Sequence, residues 1–143
     1  MDENNLFEEY FEKPYWVIDV LPKQVPANGA GQYFKIESYL RGQPYADILC
    51  NKFTNLIIKL NCYYDIEVFH TSGNRVTNPA PEVLRAHISE QQQIFIVLNS
   101  ANSMIGYYCE DHYMTLYNPS EELLELVRLL AVSEGLFVWR HND

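Results

Sequence analysis

Apolar residues recur along this chain with two different periods, and the changes of period divide it into elements. The clearest run is Asn118 to Arg140. Leu123, Leu124, Leu126, Val127, Leu129, Leu130, Ala131 and Val132 build a helical body, with Glu121, Glu125 and Arg128 falling on one narrow face. So wide an apolar stripe predicts a helix that is mostly covered and lies across a sheet. Asn118 is the expected cap and Pro119 the expected first helical residue, while Glu121 and Glu122 place carboxylates at the end of the dipole that favours them. Gly135 supplies a left-handed stop. Leu136-Phe137-Val138-Trp139, apolar on both faces, predicts a strand interior to the sheet.

The earlier segments read in the same way. Asn5 is positioned to cap a short helix with Leu6, Phe7, Tyr10 and Phe11 on one face, ended by Pro14. Tyr15 to Leu21 follows as a strand, apolar on both faces except for Asp19. Residues 22–31 hold two prolines with Asn28, Gly29 and Gly31, which is loop chemistry. Tyr33, Ile36 and Leu40 fit a helix over Gln32 to Arg41. Tyr45, Leu49, Phe53, Leu56, Ile57 and Leu60 fit a longer one from Pro44 to Leu60, stopped by Asn61. Tyr63 to Phe69 alternates, with Tyr64, Ile66 and Val68 on one side and Asp65 and Glu67 on the other, as a half-exposed strand does.

Thr71-Ser72-Gly73-Asn74 is a turn, and Asn78-Pro79 is expected to open a third helix containing Val83, Leu84, His87 and Ile88. Gln93 to Leu98 reads as an interior strand. Met104 to Cys109 and His112 to Tyr117 read as a hairpin joined through Glu110-Asp111. Taken together, residues 1–143 predict a single α+β domain. It has a mixed, largely antiparallel sheet of about five or six strands, with about three or four helices packed mainly on one face. The order strand, Asn-Pro, helix, strand occurs twice, after Tyr63-Tyr64 and after Tyr107-Tyr108, which leaves an internal duplication open.

Composition narrows the function more than it names one. At 48% hydrophobic and 20% charged the chain is a normal folded one, long enough to need no disulfide or metal staple. Its net charge is -9, from 19 acidic and 10 scattered basic residues. That excludes a nucleic-acid backbone as partner and disfavours an anionic membrane surface. No apolar stretch approaches the ~20 residues of a membrane span, and the acidic Met1-Asp2-Glu3-Asn4-Asn5 start does not resemble a signal peptide. Three cysteines without framework spacing indicate reduced thiols and a cytoplasmic setting.

Candidate chemistry is dispersed. Cys109-Glu110-Asp111-His112 combines thiol, carboxylates and imidazole, but neighbouring residues of a tight turn point apart, whereas a nucleophile and its base must converge within ~3 Å. His70, His87, His112 and His141 show no ligand spacing within one element, so neither metal nor cofactor is expected. Gly29-Ala30-Gly31 lacks the further glycine of a dinucleotide cradle, since that place holds Phe34. No Gly-x-Ser-x-Gly elbow surrounds any serine. Asp19 stands out as a carboxylate inside a covered strand. It is expected at an exposed or hydrogen-bonded face position, where Asp19→Asn leaves any activity intact; buried with a partner, it would serve as a general base.

Two functional expectations follow. One is a non-catalytic protein-binding module, immunity- or inhibitor-like or regulatory. It would hold a basic protein partner through Tyr107, Tyr108, Tyr113, Tyr117, Glu121 and Glu122, with Glu125 and Glu134 extending the acidic edge, and its affinity would fall as salt rises. The other is a small enzyme or ligand-binding domain whose site gathers Asp19, His70, Cys109 and His112. A flat tyrosine-and-glutamate surface favours the first, and a shared pocket the second.

Overall fold

The two apolar periods resolve into five helices and one seven-stranded sheet in a computed structural model, which describes residues 3–27, 31–71, 73–90 and 92–140, with side chains from Phe7 onward. Asn28, Gly29, Ala30, Ser72 and His141, which figured in the sequence reading, lie outside the described residues. The strands are β1 (Tyr15–Asp19), β2 (Glu67–His70), β3 (Arg75–Thr77), β4 (Ile94–Leu98), β5 (Ser103–Tyr107), β6 (Tyr113–Tyr117) and β7 (Phe137–Arg140). Their order is β3-β2-β4-β5-β6-β1-β7, and every pairing is antiparallel. The helices are α1 (Glu3–Phe11), α2 (Tyr33–Leu40), α3 (Tyr45–Leu60), α4 (Pro81–Ser89) and α5 (Glu121–Ser133). The α+β class stands, with seven strands rather than five or six and five helices rather than three or four.

The sheet sorts its side chains by strict alternation. Ile18, Val68, Ile94, Ile96, Ile105, Met114, Leu116 and Val138 point to one face, where α3, α4 and α5 cover them. Phe53, Leu56, Ile57 and Leu60 of α3 are completely buried there, which makes α3 the keel of that layer. The opposite face is only half covered. At its β2–β4–β5 end, Phe7 and Tyr10 of α1 pack on Phe69, Phe95, Val97, Met104 and Tyr117. At its β6–β1–β7 end the face carries a hollow lined by strand residues together with Phe11 of α1 and Tyr33 of α2.

Several local expectations are corrected. β7 is an edge strand: it pairs with β1 alone. Its apolar residues divide instead, Val138 going under α5 and Phe137 and Trp139 to the open face. α5 is less enclosed than its composition suggested, because Leu123, Val127 and Ala131 are buried while Leu129 and Val132 are 66% and 67% exposed. A helix on the outside of a two-layer stack has only one covered side.

The cap of α5 is Ser120, whose hydroxyl accepts from Leu123 N at 3.1 Å. Asn118 takes the left-handed conformation (φ 58°) and ties loops together, its N–H to Pro14 O at 2.8 Å and its amide to Asn102 O at 2.9 Å. Asn78 behaves the same way (φ 45°), accepting from Ile66 N at 2.8 Å, so α4 starts not at Asn78-Pro79 but at Pro81. In both places the Asn ends a strand and the helix waits for the next favourable start. Asn5 likewise lies within α1 rather than at its cap. Gly135 (φ 74°) does end α5, with Leu136 N donating to Ala131 O and Gly135 N to Val132 O. Among the described residues no helix is long and apolar enough to cross a membrane.

Candidate functional site

Alternation along β1 sends Ile18 into the helical core and Asp19 to the half-covered face. There Asp19 is hydrogen-bonded, as expected, but it is also buried, only 4% exposed. Its partner is His112, which immediately precedes β6 and is itself buried. Asp19 Oδ1 and His112 Nδ1 are 3.4 Å apart, because β1 and β6 are antiparallel neighbours in which Asp19 faces Tyr113. The far ring nitrogen, Nε2, lies 2.9 Å from Glu37 Oε2 and 3.2 Å from the Tyr33 hydroxyl. Both of these come from α2. Tyr33 donates to the same Glu37 oxygen at 3.1 Å.

With the ring protonated, Nδ1–H is given to Asp19 and Nε2–H to Glu37. The proton is held accordingly: the His112 pKa is raised, chiefly by the bond to Asp19, with Glu37 adding and burial opposing. Glu37 is lowered, first by the His112 bond. Tyr33 is pushed up to about 12, by burial and then by Glu37, so its phenol stays protonated and acts as a donor. Arg41 reaches Asp111 at 3.4 Å beside this cluster. The neighbours of the imidazole are two carboxylates and a phenol. Such an array can hold and exchange a proton at the imidazole.

Asp19, His112 and Tyr33 form one wall of a cleft of about 490 Å³ on the open part of the sheet, with Glu37 behind them and outside its lining. Val17 and Thr115 make the floor, and Phe11, Tyr15, Tyr113, Tyr117 and Trp139 supply aromatic sides. The indole N–H of Trp139 is buried with no hydrogen-bond partner among the described residues. A second hollow of about 310 Å³, beyond Tyr33, shares Asp19, Tyr33 and Trp139 and reaches Val25 and Phe34.

The four dispersed candidates therefore separate. Asp19 and His112 meet. Cys109 faces another hollow, of about 380 Å³, with Arg41, Asp47 and Cys50, and His70 lies on the helical face of the sheet. The tyrosines separate too. Tyr113 and Tyr117 border the cleft, Tyr108 lies in the loop after β5, and Tyr107 is buried beside Phe53 in the helical core, pushed up by that burial. Glu121 and Glu122 are exposed at the start of α5, on the opposite side of the sheet from the cleft. They and the cleft tyrosines do not share one surface. Glu37 and Tyr33 were not singled out from the sequence, where their spacing of four residues on a helix was the one available signal.

Comparison with protein-family models, with curated proteins and with solved structures gives no match.

Proposed function

We propose that the protein is a small-molecule-binding domain, taking a flat, largely apolar ligand in the cleft between α1 and α2. The observation that carries this reading is the convergence of Asp19 and His112, 93 positions apart and both buried, at the wall of an aromatic cleft. Its volume falls in the ~300–1,000 Å³ range of ligand sites. Aromatic sides suit a planar body, and Asp19, His112 and Tyr33 read a polar group at one end. The unpartnered Trp139 N–H asks for an acceptor, since a buried orphan donor costs about 1–3 kcal/mol. The ligand class is thus a planar heteroaromatic or similar flat molecule with at least one acceptor.

The test is a titration of ¹⁵N-labelled protein with flat heteroaromatic fragments bearing a ring acceptor, such as quinoline. Saturable shifts should centre on the Trp139 indole and the Tyr113 and Thr115 amides, and Thr115→Trp, which fills the cleft from its floor, should abolish them. Shifts scattered over the surface, or unchanged in Thr115→Trp, would reject the reading.

The exposed carboxylates of Glu121, Glu122 and Glu125 on α5 support a separate docking of a basic protein partner, whose affinity would fall with salt. A reducing, cytoplasmic setting belongs to the same proposal, supported by the absence of a disulfide at Cys50, Cys62 or Cys109.

A further inference from the structure

β4 begins beside the end of β2, with His70 opposite Ile94, and α4 leads into β4. This brings the last turn of α4 onto the last residue of β2. His87 and Glu90, three residues apart, share one side of the helix end and meet His70 there. The His70 and His87 rings are 4.1 Å apart between centroids, inclined at 69°. His70 Nδ1 is 3.8 Å from Glu90 Oε2. One ring nitrogen from each histidine and one Glu90 carboxylate oxygen all lie within 4.8 Å of one another.

The polar accounting of this corner does not close among the described residues. His70 is only 6% exposed, and its Nε2 has no hydrogen-bond partner among them; His87 Nδ1 is also buried without one there. Buried imidazole nitrogens normally find partners, and leaving one unmatched costs about 1–3 kcal/mol. Two such nitrogens on adjoining rings, next to a carboxylate, are what an ion would satisfy.

We infer that His70, His87 and Glu90 form a binding site for a divalent transition-metal ion of the zinc class. Two imidazoles and one carboxylate suit zinc and its neighbours rather than calcium or magnesium, which prefer all-oxygen shells. Metal–donor bonds of ~2.0–2.2 Å need donors about 3.4 Å apart in a tetrahedron, so the three must draw together by up to about 1.4 Å. Glu90, 52% exposed at its side chain, is free to supply that movement. Three protein donors leave a fourth position, and exposure at Glu90 puts it on the solvent side, where water occupies it. The ion would clip the end of β2 to the end of α4, beside the Thr71–Gln92 hydrogen bond that already joins these loops. The site lies on the helical face of the sheet and is independent of the aromatic cleft.

The experiment is calorimetric titration of chelator-treated full-length protein with Zn²⁺, together with the visible spectrum of the Co²⁺-loaded form. One equivalent should bind, with the intense bands of tetrahedral cobalt, and the unfolding midpoint should rise with added Zn²⁺. Glu90→Gln and His87→Gln should each weaken binding by more than about 100-fold, beyond the ~10–100-fold loss seen for outer-shell partners. Both substitutions avoid the buried His70, and circular dichroism of the metal-free variants confirms that they fold. Absence of saturable binding, or equal affinity in wild type and both variants, would overturn the assignment.

Discussion

Replacing Asp19 by Asn removes one charge from the centre of the cleft wall while keeping the side chain's shape, so its cost measures the Asp19–His112 pair. At 3.4 Å and an effective dielectric constant of about 20, the gross attraction between carboxylate and imidazolium is about 5 kcal/mol. Burying the carboxylate offsets part of that, and the separation is at the long end for a hydrogen bond. About 2 kcal/mol remains, within the ~1.5–3 kcal/mol found for bonds to charged groups. In a domain of this size that lowers the thermal midpoint by roughly 4–8 °C.

The cost should also depend on pH in one direction. His112 has a pKa raised above its unfolded value of about 6.5, so its contribution is fully present below that pH and is lost as pH rises through the folded value. Glu37 is shifted the other way and titrates in a more acid window, where its contribution disappears as pH falls. Urea unfolding of wild type and Asp19→Asn at pH 6 and pH 8.5 therefore isolates the histidine. The deficit of the variant should be largest at pH 6 and shrink by pH 8.5. A deficit that is equal at both, or larger at pH 8.5, would refute the pairing.

Two further predictions concern the elements around the site. Glu37→Gln should lower the His112 titration midpoint seen by NMR, because the Glu37 bond helps hold the ring proton; an unchanged midpoint would remove Glu37 from the array. Ser120→Ala should destabilise the protein by about 1 kcal/mol in urea unfolding through loss of the α5 cap, and a neutral result would contradict the assigned bond to Leu123 N.

The parts legible in the sequence are those governed by local period. α3, α5, β4 and the β5–β6 hairpin came from spacing alone, since each buries a repeating face. β3 went unseen because three residues with an exposed arginine at one end carry no period. The edge position of β7 was hidden because an apolar residue facing an aromatic cleft looks, in sequence, like one facing a core. The site was half legible. Asp19 declared itself as a charge in an apolar strand and His112 as an imidazole beside a turn, but their meeting depends on strand order, which no local pattern encodes. His70 and His87 sit 17 positions apart, and the pairing of β2 with β4, which follows α4, brings them together.

The pairing of β1 has a consequence for assembly. Its two neighbours, β6 and β7, lie about a hundred residues further along the chain, so the strand bearing Asp19 has nothing to add to until they exist. Such distant closures are slow, and the apolar Trp16-Val17-Ile18 stretch stays uncovered meanwhile, with Asp19 as the one charge discouraging it from sticking to other chains. The same aspartate would then serve twice, first as a guard during synthesis and afterwards as the anchor of His112. Ring-proton capture by His112 then marks the point at which β1 has docked beside β6.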